Sequence, residues 1–166
     1  MDDDRRAAFD ALVAARSPAL LRTAYLLTGD YHRAQDLVQT ALSRAYVRWG
    51  RLRSVDAGEA YVQRVIVTTA ASSWRRKWHG EVPTEVLPDR TSPVADLDLR
   101  AGMRLALQRL PAAHRAVLVL RFYEDLSEAQ TAELLGCSIG TVKSRTSRAL
   151  AALRAAGLER MVEERT

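Results

Sequence analysis

Two helix-start signals lie close together near the end of the chain, and they limit its fold more than any other feature. Ser127 is followed three residues later by Gln130, the capping-box pattern in which two side chains satisfy free amides at a helix start. Gly136 can adopt the left-handed conformation that ends a helix, and Ser138 can cap the next one. The segment therefore predicts two helices joined by a turn of a few residues.

The second of these helices is predicted to be amphipathic. At about 100° per residue, one side carries Val142, Thr146, Ala149, Leu150 and Leu153, and the opposite side carries Thr141, Ser144, Ser147 and Arg148. Lys143 and Arg145 flank the polar side. Hydroxyls and arginines can reach base edges in the DNA major groove, while flanking cations can neutralise phosphates. An ordinary solvated helix is the alternative, but the caps, the turn and the polar side agree in register, so we predict a DNA-binding helix-turn-helix.

The rest of the chain is also predicted to be helical. Ala, Leu, Arg and Glu are abundant, Gly and Pro are scarce and the aromatic share is 6%, which favours helices over strands. Apolar periodicity predicts helices near residues 5–27, 32–49, 59–78, 97–110 and 111–123, with a loop over residues 51–58. Pro111 is expected at the first position of its helix. We predict an all-α fold.

The charge distribution predicts two domains. Residues 81–98 carry 1 basic and 5 acidic side chains, against 13 and 8 in residues 1–80 and 11 and 7 in residues 99–166. Three prolines lie in the acidic stretch, which predicts a flexible linker over 81–96 between domains 1–80 and 97–157, with a tail at 158–166. Two basic blocks suit a polyanion such as nucleic acid, although a solvated Arg-rich surface would give the same charge.

Several classes of protein are not indicated by the sequence. It has no apolar run of bilayer-spanning length, and its acidic start is unlike a signal peptide, so we expect a cytoplasmic protein without membrane insertion. Cys137 cannot form an internal disulfide, and the three histidines lack metal-ligand spacing, so we expect no metal and no other cofactor. A phosphate loop, a nucleophile constellation and paired carboxylates are also missing, which argues against an enzyme.

The sequence resembles a known family over nearly its whole length. The segment from Asp125 to Leu150 closely resembles region 4 of extracytoplasmic-function sigma factors, residues 34–46 resemble region 2, and residues 61–77 resemble the promoter-reading helix of region 2. Residues 44–49 and 73–77 are similar to the actinobacterial SigE-like group. The resemblance implies two small helical domains, a three-helix region 2 and a four-helix region 4 with the helix-turn-helix, joined by the acidic linker.

The resemblance also implies where partners bind. Core RNA polymerase would contact the region-2 helix at Asp36, Leu37, Val38 and Gln39, although Leu37 and Val38 suit the domain core equally well. One base of the melted minus-ten strand would flip out into the loop over 51–58. The strand would contact Arg51, Arg53, Tyr61, Arg64, Trp74, Arg75, Arg76 and Lys77. The aromatic residues among these also suit the domain core. The minus-thirty-five element would contact Ser138, Thr141, Lys143, Ser144, Arg145 and Arg148.

Two positions depart from the pattern of the family. Thr68 stands where many members carry Asn in the promoter-reading helix, which bears on the minus-ten sequence. Thr40 follows Gln39 where an acidic residue is common, which bears on the strength of core binding.

The resemblance thus predicts a sigma factor, monomeric when free, that binds the β and β′ subunits of core polymerase and directs promoter recognition, DNA melting and transcription initiation. An anti-sigma factor is a further partner that the resemblance suggests. The alternative is a dimeric helix-turn-helix transcriptional regulator, which would bind a palindrome rather than two dissimilar promoter elements.

Overall fold

The computed structural model of the chain describes residues 2–78 and 101–157, and within these ranges it contains α-helices and no β-strand. The helices are α1 (Asp3–Thr28), α2 (Tyr31–Arg48), α3 (Val55–Trp78), α4 (Ala101–Arg109), α5 (Ala112–Leu118), α6 (Glu128–Leu135) and α7 (Ile139–Ala155). The all-α prediction is confirmed, with three α-helices in residues 2–78 and four in residues 101–157. The predicted linker, 81–96, and tail, 158–166, lie outside the described residues.

Residues 2–73 belong to one compact unit and residues 101–157 to another. In the first unit α1 packs against α2, and the contact is lined by alanines such as Ala24, Ala34 and Ala41, which are fully buried. Such small side chains allow the two helix backbones to approach closely. Larger apolar residues fill the rest of this core, namely Leu12, Leu20, Leu27, Leu37, Val38, Val62, Ile66 and Val67.

Side-chain caps fix the ends of the first two helices. Asp2 accepts a hydrogen bond from the Arg5 amide at 2.9 Å, and Asp30 accepts one from the Arg33 amide at 3.0 Å. Between the two helices Gly29 has φ 72°, the left-handed conformation that glycine adopts without steric cost. This turn lets α1 and α2 run as neighbours with a short connection.

Trp49 holds the connection between α2 and α3, where a 3-10 turn (Trp49–Arg51) follows α2. Its indole Nε1 donates to the Arg5 carbonyl oxygen at 2.8 Å, and its ring meets the Phe9 ring edge-on with centroids 5.1 Å apart. Gly58 lies against the same indole so closely that a Cβ atom there would overlap the ring. The side chain of Trp49 is therefore fixed by α1 and α3 together.

The predicted loop over residues 51–58 is wrong in its second half. Ser54 accepts a hydrogen bond from the Ala57 amide at 3.1 Å, and α3 already begins at Val55. The sequence pattern predicts a loop at Gly58, whereas in the structure this glycine lies in the first turns of α3, where the absence of a side chain makes room for the Trp49 ring. The irregular segment is limited to residues 52–54.

In the second unit α5 and α6 both pack on α7, around the buried side chains of Val117, Leu120, Leu135, Val142 and Leu153. The helix predicted over residues 111–123 departs from that prediction at both ends. Pro111 precedes α5 as its cap instead of forming its first residue.

Beyond Leu118 the α-helix widens into a π-helical turn (Val119–Tyr123). There the Glu124 amide donates to the Val119 carbonyl and the Leu126 amide donates to the Leu120 carbonyl, both at 3.0 Å. The hydrogen bonds of this turn therefore close wider rings than those of an α-helix.

Candidate nucleic-acid interface

The predicted helix-turn-helix is formed by α6 and α7. Ser127 Oγ accepts from the Gln130 amide at 3.1 Å, and Gln130 Oε1 accepts from the Ser127 amide at 2.9 Å, which completes the capping box. Gly136 has φ 64° and ends α6, and Ser138 Oγ accepts from the Thr141 amide at 3.1 Å to start α7. Each local signal in this segment is confirmed.

The two sides of α7 differ as the sequence predicted. Val142, Ala149 and Leu153 are buried against the rest of the unit, with at most 2% of their surface exposed. The opposite side is exposed at Lys143, Ser144, Ser147 and Arg148, whereas Thr141 and Arg145 are half-buried at its margin. Ser138 at the cap is exposed as well. The residues expected to contact the minus-thirty-five element therefore lie together on one surface, which we call the α7 face.

His114 on α5 joins this surface, although no motif in the sequence marks it as a site residue. Partial burial lowers the pKa of its imidazole, and the positive charges of Arg145 and Arg148 lower it further. These effects place the ring close to two of the expected DNA-contacting arginines. The proximity depends on the packing of α5 against α7, so no local pattern in the sequence could have predicted it.

Two further arginines of the second unit are half-buried. Arg121 Nη1 donates to the Leu126 carbonyl and so ties the π-helical turn to the segment before α6. Burial lowers the pKa of the Arg115 guanidinium, and its Nε finds no hydrogen-bond acceptor among the described residues. Arg121 serves the local fold through this bond, but its Nε, like that of Arg115, is buried without a hydrogen-bond partner among the described residues.

The exposed side of α2 carries part of the expected polymerase contact. Asp36 and Gln39 are exposed, and Ser43 and Val47 continue the same side of the helix toward its end. Leu37 and Val38 are only 8% and 6% exposed, because they belong to the apolar core of the first unit. Of the four residues expected to contact polymerase, the structure leaves two on the surface.

The residues expected to contact the minus-ten strand lie around residues 51–54 and along α3. Arg51, Arg53 and Arg64 are exposed, and the Tyr61 ring is half-buried with the Arg48 guanidinium 5.5 Å from its centroid. The backbone of α3 continues through Trp74, Arg75, Arg76 and Lys77. The side chains of these four residues lie outside the described part of the structure, so their expected contacts stay predictions.

Two kinds of feature are absent from the part of the chain that the structure describes. No group of three or more His, Cys, Asp or Glu side chains in these residues could hold a metal ion. None of the helices described there combines the length and the apolarity needed to cross a membrane.

Both halves of the chain match family models. Residues 12–80 match sigma-70 region 2, and residues 100–153 match sigma-70 region 4. The RNA polymerase sigma-E factor of Streptomyces coelicolor is 44% identical over 151 residues, which cover 88% of this chain and 84% of that protein. This chain belongs to the sigma-70 family.

Further relatives place the sigma factor in the extracytoplasmic-function group. The ECF RNA polymerase sigma factor SigM of Mycobacterium tuberculosis is 34% identical over 149 residues, covering 89% of this chain and 76% of its own. Among solved structures, the sigma factor RpoE of Bartonella quintana, in complex with the anti-sigma factor NepR, matches with a TM-score of 0.68 and 27% identity. That match covers 89% of this sigma factor and 95% of the other chain.

The family assignment decides between the two functions that the sequence suggested. A helix-turn-helix regulator would share only the second unit, whereas this sigma factor matches region 2 as well as region 4. The protein is an RNA polymerase sigma factor that directs promoter recognition, and the dimeric-regulator alternative is not favoured. Asp36, Gln39 and the segment 51–54 lie in region 2, and the α7 face lies in region 4.

Proposed function

We propose that this sigma factor holds core RNA polymerase with one surface and reads the promoter with two others. The α7 face carries most of the argument, because its caps, buried stripe and exposed polar side share one register. It would enter the major groove of the minus-thirty-five element with Ser138, Thr141, Lys143, Ser144, Arg145 and Arg148 as its contacts. Arg148 and Ser144 would meet base edges, and Lys143 would meet phosphate.

Asp36 and Gln39 are the residues that we propose for docking on the β′ subunit. Both are exposed on α2, so either side chain can be removed without opening the core of the first unit. The apolar pair Leu37 and Val38 would support this surface from within rather than touch polymerase. Truncating one of the few side chains that dominate an interface costs more than about 1 kcal/mol, and about 1.4 kcal/mol corresponds to tenfold in affinity.

A competition assay for core polymerase tests this docking surface. We expect Asp36→Ala and Gln39→Ala each to weaken binding by about tenfold and to lower transcription from every promoter alike. Asp10→Ala is the matched control, since Asp10 is an exposed carboxylate on α1. If the two α2 variants compete for core as well as the control does, they do not belong to the interface.

For the minus-ten element we propose that residues 51–54 receive a base flipped out of the melted strand. Arg51 and Arg53 would hold the strand beside it, and Arg64 would bind its backbone further along α3. Arg75, Arg76 and Lys77 would extend this positively charged track. Tyr61 and Trp74 are the proposed stacking surfaces. Permanganate reactivity of unpaired thymines in the holoenzyme complex would report melting at this element.

In this role the sigma factor would act as a monomer and would have no catalytic activity of its own, since the polymerase performs the chemistry. It would therefore work in the cytoplasm, with the polymerase and the chromosome. A footprint over two dissimilar elements is expected in the presence of core, and a symmetric footprint of the free protein would contradict the proposal. An anti-sigma factor is a further proposed partner, because RpoE of Bartonella quintana was solved with NepR. Co-purification with a protein that blocks core binding would identify it.

A further inference from the structure

Helix α1 contacts the chain on both sides of the segment 51–54. Before the segment, Arg5 Nη1 donates to the Gly50 carbonyl oxygen at 2.8 Å, and the Arg5 carbonyl accepts from Trp49 Nε1 at 2.8 Å. After the segment, the Arg16 guanidinium pairs with the Glu59 carboxylate in the second turn of α3. Two arginines of one helix thus hold the two ends of one short segment.

The segment itself has few other restraints. The Leu52 amide donates to the Trp49 carbonyl at 3.2 Å, and Ser54 caps α3 through the Ala57 amide. Arg51 and Arg53 between these points are exposed. The conformation of the segment therefore depends on where its ends are held, and α1 supplies two hydrogen bonds at one end and an ion pair at the other.

We propose that Arg5 and Arg16 are positioning residues that set the base preference of the segment 51–54 without touching DNA. The inference rests on the proposed minus-ten role of that segment. A recognition site must be held within about 0.5 Å of its productive geometry by the residues around it. With a rise of 1.5 Å per residue, the two arginines are about 16 Å apart along α1, so a rigid helix fixes the distance between the two anchored ends.

The alternative role for these arginines is simple stabilisation, and it makes a different prediction. Both side chains are exposed, and exposed ion pairs contribute little to stability. Loss of stability alone would reduce the fraction of active protein and lower activity on all promoters by the same factor. Loss of positioning would instead change the ratio between promoters that differ in the minus-ten element.

The test uses holoenzyme containing the full chain and a promoter library randomised in the minus-ten element. We expect Arg5→Ala and Arg16→Ala to reduce the discrimination between the best and the other bases at one position by about tenfold. Arg6→Ala and Arg22→Ala remove the same charge from exposed positions of the same helix, and we expect them to change that ratio by less than about twofold. Arg5→Lys keeps a donor for the Gly50 carbonyl and should restore most of the discrimination.

Circular dichroism at the assay temperature checks that each variant is folded. A uniform loss of activity with an unchanged ratio would overturn the proposal. The proposal would also be overturned if Arg51→Ala and Arg53→Ala altered the minus-ten preference while Arg5→Ala and Arg16→Ala left the ratio between promoters unchanged. In that case the proposed function of the segment 51–54 would still stand. If the unmodified holoenzyme shows no base preference at the minus-ten element, the proposed function itself fails and the positioning role fails with it.

Discussion

Replacing Gly58 with alanine tests how closely Trp49 packs on α3. Inside a helix this substitution alone gains about 1 kcal/mol, because alanine has the higher helix propensity. Here the new methyl group would overlap the Trp49 ring, so the ring must move. Movement weakens the indole hydrogen bond to the Arg5 carbonyl and the edge-on contact with Phe9. Two opposing effects therefore act at one position.

The packing effect should exceed the propensity effect. Overpacking a tight site costs about 1 to 3 kcal/mol, the hydrogen bond contributes about 1 kcal/mol and the aromatic pair a similar amount. We expect the free energy of unfolding of the first unit to fall by about 2 kcal/mol. For a unit of this size that corresponds to a decrease in Tm of roughly 10 °C.

Urea unfolding followed by tryptophan fluorescence measures this change, since Trp49 itself lies in the first unit and its indole packs against Gly58. Gly50→Ala is the matched control, because a Cβ atom there would lie 3.6 Å from Arg5 Nη1, an ordinary contact. We expect the control to change stability by less than about 0.5 kcal/mol. A Gly58→Ala variant as stable as the unmodified protein, or more stable, would show that the packing argument is wrong.

Further predictions concern the second unit. Arg148→Ala should flatten the base preference at one or two minus-thirty-five positions, whereas Lys143→Ala should weaken holoenzyme binding to all promoters alike and lower the salt dependence of binding, log K against log salt concentration, by about one unit. A holoenzyme binding assay on a promoter library at two salt concentrations tests this, and equal, uniform losses of affinity in both variants would contradict the division. The pKa of His114 measured by NMR should lie below its usual 6.5 and rise in Arg148→Ala. Because the folded unit binds the imidazole proton of His114 less readily than the unfolded chain does, the stability of the unit should fall as the pH drops through 6.5 toward the lowered pKa. Thermal unfolding at several pH values should show a smaller pH dependence of stability in His114→Gln. Thr131 buries a hydroxyl that has no hydrogen-bond partner among the described residues, so Thr131→Val should raise the unfolding free energy by about 1 kcal/mol in urea titrations, and a loss of stability would refute this.

The accuracy of the sequence predictions depended on whether their signals were local. The caps at Ser127 and Ser138 act over three residues, and the structure confirms each of them. Gly58 was misassigned because its role depends on Trp49, a partner in the preceding turn that periodicity does not reveal. Leu37 and Val38 suited both a core and an interface from their chemistry, and only packing showed that they are buried.

Longer-range features were beyond the reach of sequence patterns. The position of His114 beside Arg145 and Arg148 follows from the packing of α5 on α7. The contacts of Arg5 with Gly50 and Trp49 join residues about 45 positions apart in the chain. Such contacts are set by how the helices assemble, because no spacing rule within one helix links their partners.

The π-helical turn (Val119–Tyr123) limits how the second unit can change in evolution. A π-helical turn accommodates one residue more than the α-helix around it, and each residue of an α-helix turns the chain by about 100°. Deleting one residue here would let the helix continue regularly with little rotation of the later elements, whereas a deletion between Arg115 and Leu118 of α5 would rotate every later element by roughly that angle relative to His114. His114 would then no longer lie beside Arg145 and Arg148, although no residue of the α7 face had been altered. A single-residue deletion between Arg115 and Leu118 should therefore disable the helix-turn-helix more than a deletion within the π-helical turn.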